Sequence, residues 1–194
     1  MQHKPVIYVS RITNLSDARY CAGMGVDMVG FVIDPTDVDY VSPRHYQEIN
    51  GWISGPKRVI EIPPHGNIDL EEVVNEYKPD LLHVSMTAVE RNDLPDLPLL
   101  LEVSFDSYQA PGSNFKASIE YVLMKNFSDS VSLGPTSIQG EHSILLSLDS
   151  HQEHVMELLN RTGARGFALQ GSRELVPGLK DYDHLSRILE ALEA

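Results

Sequence analysis

Apolar residues along the chain gather in short, near-continuous runs, separated by stretches in which they recur at helical spacing. Runs rich in Val, Ile and Leu lie at 6–10 (VIYVS), 28–33 (MVGFVI), 57–62 (KRVIEI), 81–85 (LLHVS), 99–103 (LLLEV), 121–125 (YVLMK), 144–148 (ILLSL) and 166–169 (GFAL). Runs of this length without strict polar alternation predict strands buried on both faces of a parallel sheet. Between them, Asn14 or Ser16 is placed to cap a helix through Met24, with Gly25 as its stop. Ser42-Pro43 opens a second helix, serine as cap and proline at the first helical position. Asp69 precedes LEEVVNEY, SHQEHVMELLNRTG ends at Gly163, and DYDHLSRILEAL closes the chain. The segments after Val103 and Lys125 are rich in Ser, Pro and Gly, so the helices there are predicted to be short or missing. Eight strands alternating with helices predict one α/β domain over residues 1–194, a (β/α)8 TIM barrel small for its class. An open doubly wound sheet is the alternative that the pattern leaves.

Charge narrows the partners. The formal net charge is −13, which argues against nucleic acid and against an anionic membrane surface. It also works against phosphorylated ligands unless a local positive field offsets it. No apolar run approaches the ~18 residues of a membrane span. The start of the sequence, MQHKPVIYVS, lacks the features of a secretory leader. One cysteine, Cys21, allows no intrachain disulfide and fits a reducing compartment, so the expected address is the cytoplasm. No Walker loop, dinucleotide fingerprint or metalloprotease motif occurs, and His142, His151 and His154 lack the partners that zinc requires. Neither a metal nor a cofactor is predicted.

Three pieces carry a resemblance: ITNLSDARYCAGMGVDMVGFV, then YVSP, then VPGLKD before the last helix. They resemble phosphoribosylanthranilate isomerases, whose chains open on Lys-Ile-Cys-Gly-Ile-Thr-Asn and carry Gly-Phe-Val, Tyr-Ile/Val-Ser-Pro and often Pro-Gly-x-Lys-Asp in this order. The likeness covers residues 6–53 and 163–192 and rests on strand order between them. It implies a barrel that is a monomer or homodimer. It also implies an Amadori rearrangement of a phosphoribosyl amine in tryptophan synthesis. That reaction requires a general acid, a general base, a cation for the substrate's benzoate and a cradle for its phosphate.

Each requirement meets a substitution. The resemblance puts the base, a cysteine, on Ser10, and an alcohol does not ionise near neutral pH without a partner base. The glycine that follows becomes Arg11, which either contacts a ligand anion or pairs with a rim acid such as Asp149. The acid, an aspartate, falls on Lys125, or on Met124 if the alignment slips by one. The benzoate-binding arginine falls on Asp39, with Asp34 and Asp37 close by, and an aspartate there repels a carboxylate. Of the phosphate loops, Asp149 stands where glycine is expected after strand seven. Gly171, Ser172 and Arg173 after strand eight retain an anion-binding character. His83 sits at the end of strand four, where it either joins Ser10 and a glutamate as a nucleophile–base–orienter set or belongs to an interior cluster with Glu61 and Glu102.

The sequence thus predicts a diverged barrel without the normal isomerase activity, holding a small ligand, phosphorylated or not, at the C-terminal ends of its strands. Two alternatives stand beside it. One is a working isomerase with rearranged groups, Lys125 or Glu102 acting as acid. The other is a non-catalytic interaction or regulatory protein.

Overall fold

A computed structural model describes residues 4–64, 68–89, 94–105, 118–126, 142–148, 155–171, 174–176, 179–180 and 186–189. Eight parallel strands close into a barrel in sequence order. They are β1 (Val6–Ser10), β2 (Met28–Val32), β3 (Lys57–Glu61), β4 (Leu81–Ser85), β5 (Leu99–Ser104), β6 (Ile119–Lys125), β7 (Ser143–Ser147) and β8 (Gly166–Gln170). The ring is sealed between β1 and β8, in register from Val6 against Gly166 to Ser10 against Gln170. Closure removes the open-sheet alternative. All eight strands lie where the apolar runs predict them, with ends differing by at most two residues.

The helices on the outside are α1 (Leu15–Gly23), α2 (Pro43–Asn50), α3 (Leu70–Tyr77), α4 (Met86–Val89) and α5 (Val155–Thr162). The starts of α1, α2 and α3 follow the predicted caps. The side chain of Asn14, rather than Ser16, accepts the N–H of Asp17, Ser42 accepts that of His45, and Asp69 accepts those of Glu71 and Glu72. Gly25, just past α1, takes the left-handed φ of 65° that a helix stop requires. Beyond the barrel, β9 (Glu174–Val176) and β10 (Leu179–Lys180) form an antiparallel pair, which the sequence pattern does not announce. The segments after β5 and β6, where short or missing helices are expected, lie outside the described residues. Among the described residues, no helix is long and apolar enough to cross a membrane.

Two cores result from the alternation of side chains along each strand. The outward set, including Ile7, Val9, Phe31, Ile60, Leu82, Leu101, Met124 and Leu146, packs against the helices. The inward set fills the barrel with Val6, Tyr8, Met28, Val59, Leu81, Leu100, Leu123, Leu145 and Ala168. This alternation removes the ambiguity at the end of β6: Met124 is fully buried in the outer core, so Lys125 is the inward residue.

Gly166 marks where the barrel seam is tightest. A Cβ added there would overlap the backbone carbonyl of Val6, which cannot yield without moving β1. Gly166→Ala is therefore expected to destabilise the fold by at least about 2 kcal/mol. Urea unfolding of the variant against the parent chain checks this.

Candidate functional site

At the C-terminal ends of the strands the inward positions change from apolar to polar. A cavity of about 320 Å³ opens there, at the lower end of the range for small-molecule sites. Ser10, Arg11, Glu61, His83, Glu102 and Lys125 line it together with Ser147 and Gln170. Its apolar wall includes Val32, Ile62, Pro63, Pro64 and Leu169.

Three of these polar side chains, His83, Glu102 and Lys125, bond one another. Nε2 of His83 donates to Oε2 of Glu102 at 3.2 Å, and Nζ of Lys125 donates to the same oxygen at 2.7 Å. On its other side His83 places Nδ1 3.2 Å from the hydroxyl of Tyr8 and 3.9 Å from Oε2 of Glu61. Burial alone would raise the carboxyl of Glu102, but its bonds to His83 and Lys125 bring it down to about 2. Tyr8 is completely buried; desolvation, reinforced by Glu61, pushes its hydroxyl far above the usual range and keeps it neutral. Gly30 makes room for this cluster: a Cβ there would run into the Tyr8 hydroxyl and come within 2.5 Å of Oε1 of Glu61.

A second cluster holds Arg11. Its backbone φ is 59°, a left-handed value that disfavours side chains. Its N–H donates to Oε1 of Glu61 at 2.7 Å. Its side chain reaches the loop between β2 and α2, with Nε donating to Asp39 Oδ2 at 2.6 Å and Nη2 to Asp37 Oδ1 at 2.5 Å. Burial opposes the charge, yet the two carboxylates more than offset this and hold the guanidinium above its ordinary value.

The structure brings Ser10, Arg11, His83 and Lys125 to the cavity, with Asp39 joined to it through Arg11. The nucleophile–base–orienter set is not assembled. Ser10 donates its hydroxyl to the carbonyl of Leu169 at 3.2 Å, and both ring nitrogens of His83 face Tyr8 and Glu102. The N–H of Gly171, predicted to face an anion, donates to the carbonyl of Ser10 at 2.7 Å. Asp149, Ser172 and Arg173 lie outside the described residues, as do His151 and His154. His142 donates Nδ1–H to the carbonyl of Ile119 at 3.1 Å. Among the described residues, no group of three or more His, Cys, Asp or Glu is arranged to hold a metal ion. Sequence reasoning missed Tyr8 and Gly30, although counting back by twos from Ser10 points Tyr8 into the barrel.

No thiol serves this cavity. The chain's single cysteine, Cys21, is buried in the outer core on α1. Burial, with a smaller contribution from Asp17, pushes it up to about 12.

No family model and no curated protein sequence matches the chain. Solved structures do. A phosphoribosyl anthranilate isomerase in complex with reduced 1-(o-carboxyphenylamino)-1-deoxyribulose 5-phosphate superposes with a TM-score of 0.73 at 18% identity, covering 97% of this chain and 98% of that one. The isomerase of Thermotoga maritima gives 0.71 at 16% identity, again over 97% and 98% of the two chains. That of Thermus thermophilus gives 0.66 at 18% identity with the same coverage. The chain therefore has the fold of the phosphoribosylanthranilate isomerases along nearly its whole length, as its motifs lead one to expect.

The depressed carboxyl of Glu102 makes stability depend on pH. Because its folded value of about 2 lies below its ordinary 4.5, its contribution is complete well above pH 4.5 and is lost as the pH falls toward 2. Between about pH 6 and about pH 3 the loss is expected to be about 1–2 kcal/mol, after allowance for solvent screening. Glu102→Gln should flatten that part of the unfolding free energy plotted against pH. An unchanged slope would show that the carboxylate is not held by His83 and Lys125.

Proposed function

We propose that this protein is a diverged barrel of the phosphoribosylanthranilate isomerase type that binds a small ligand at its mouth and does not perform the Amadori rearrangement. The observation that carries the reading is the state of the strand ends. The rearrangement needs a base that can remove a carbon-bound proton and an acid that can open a sugar ring. At the end of β1 stands an alcohol whose proton goes to a backbone carbonyl, and no thiol is within reach of the cavity. At the end of β6 stands an ammonium paired with Glu102. An ammonium is by its chemistry a far weaker acid than a carboxyl group.

The cavity itself supports ligand binding. It combines an apolar wall with a few fixed polar groups, which is the usual make-up of a small-molecule site. For a phosphate on the ligand, the resemblance points to Ser172 and Arg173, which follow β8 in the sequence.

Two measurements test the reading. The gene is expected not to rescue a tryptophan auxotroph that lacks the isomerase, although the protein is expressed in soluble form. Rescue would establish the working isomerase with rearranged groups instead. In a thermal-shift screen of sugar phosphates and small amines, at least one compound is expected to raise the melting temperature, and a shift caused by a phosphorylated compound should disappear in Arg173→Ala. A flat response across the screen would favour the non-catalytic interaction protein.

A further inference from the structure

The loop between β2 and α2 presents two carboxylates that its own turns hold in place. Thr36 donates its N–H and its hydroxyl to Oδ1 of Asp34, at 2.9 and 2.7 Å. Asp39 donates its N–H to Oδ1 of Asp37 at 2.9 Å. Asp37 N–H bonds the carbonyl of Asp34, Tyr40 N–H that of Asp37, and Val41 N–H that of Val32. Side chains bonded to the backbone two residues on are the standard device by which aspartate fixes a turn. The loop thus holds the carboxylate of Asp37 and the backbone of Asp39 locally, and Arg11 arrives from just past the end of β1.

Arg11 meets them with one edge of its guanidinium, the fork made by Nε and Nη2. That fork matches the two oxygens of a carboxylate or phosphate, which it binds by two parallel hydrogen bonds. Here each tine holds an oxygen from a different aspartate. The result carries one more negative than positive charge, and it is largely removed from water: the three side chains are 22%, 28% and 13% exposed. The backbone fixes the arrangement from behind, since the N–H of Arg11 is bonded to Glu61.

We propose that Asp37 and Asp39 are specificity-determining residues that stand in for the anionic group of a ligand. By filling the Nε/Nη2 fork of Arg11 they keep carboxylates and phosphates off this rim of the cavity. The proposal deepens the ligand-binding reading and rests on the mouth being open to small molecules. It assigns the rim at β1 and β2 to neutral or cationic parts of the ligand.

The test uses the full chain with benzoate and inorganic phosphate as probes, in isothermal titration calorimetry. Asparagine keeps a side-chain oxygen at both positions, including the one at 37 that accepts the N–H of residue 39, and removes the charge. Asp37→Asn/Asp39→Asn is therefore expected to bind benzoate or phosphate at least about tenfold more tightly than the parent chain. Adding Arg11→Gln should abolish that gain. A double variant that melts like the parent and gains nothing overturns the proposal, and so does a gain that survives Arg11→Gln. If the double variant does not fold, the single variants decide: a gain in either supports the proposal, and no gain in both overturns it. The two readings fail separately. A parent chain that binds no metabolite while the variant gains benzoate sinks the ligand-binding reading alone. A parent chain that binds a metabolite, with no gain in any variant, sinks the specificity role alone.

Discussion

Closing eight parallel strands into a ring leaves each side chain two directions, toward the helices or toward the axis. The outward direction is mostly dry and takes chiefly Val, Ile, Leu, Phe and Met. The inward direction is dry only below the mouth, where Tyr8, Met28, Leu100 and Leu145 fill the space. Above them the axis opens to solvent, and the same alternation delivers Ser10, Glu61, His83, Glu102 and Lys125 to one small volume. Carrying charges into a space so poorly hydrated costs several kcal/mol per ion unless each finds a partner. The site's internal bonding follows from that constraint: the strands dictate which residues meet, and desolvation requires them to pair.

The pairing is thorough. Lys125 and His83 share one oxygen of Glu102, and Glu61 bonds the N–H of Arg11 while flanking His83. Arg11 takes two aspartates from the neighbouring loop. Gly30 is part of the same solution, because the space a side chain would fill there is occupied by Tyr8 and Glu61. A cation in such a setting has an internal counter-ion before any ligand arrives, and its attraction for a ligand anion is correspondingly reduced.

What the sequence discloses and what it withholds divide along the range of the interaction. Strands and helix starts depend on neighbours in the chain, and the apolar runs, Asn14, Ser42-Pro43 and Asp69 are read directly. The presence of Ser10, His83 and Lys125 at the mouth follows from strand ends and period two. Their partners do not, since Arg11 and Asp37 are 26 residues apart and Tyr8 and His83 are 75. The expectation that Gly171 faces an anion fails for the same reason: its N–H is claimed by Ser10, a strand neighbour some 160 residues earlier in the chain. For Arg11 the sequence leaves two readings, ligand contact or pairing with a rim acid, and the fold contains the second, with Asp37 and Asp39 as the acids.

Arg11 also shows how a scaffold can keep its shape while its charges move. Its left-handed φ suits glycine, the residue that the resemblance puts there, and a side chain at such a position costs about 1 kcal/mol or more. Three bonds hold it there regardless: one from its backbone to Glu61 and two from its fork to the loop. Strain of this kind persists where surrounding contacts over-determine the conformation. The resemblance places a cation at position 39 and a glycine at position 11; this chain has an aspartate at the first and an arginine at the second. The guanidinium still comes to the rim between β1 and β2, but it comes with its anions already in place. A group positioned to seize a ligand's charge needs an unoccupied face, and the Nε/Nη2 edge, the face best shaped for that task, is the one these aspartates fill.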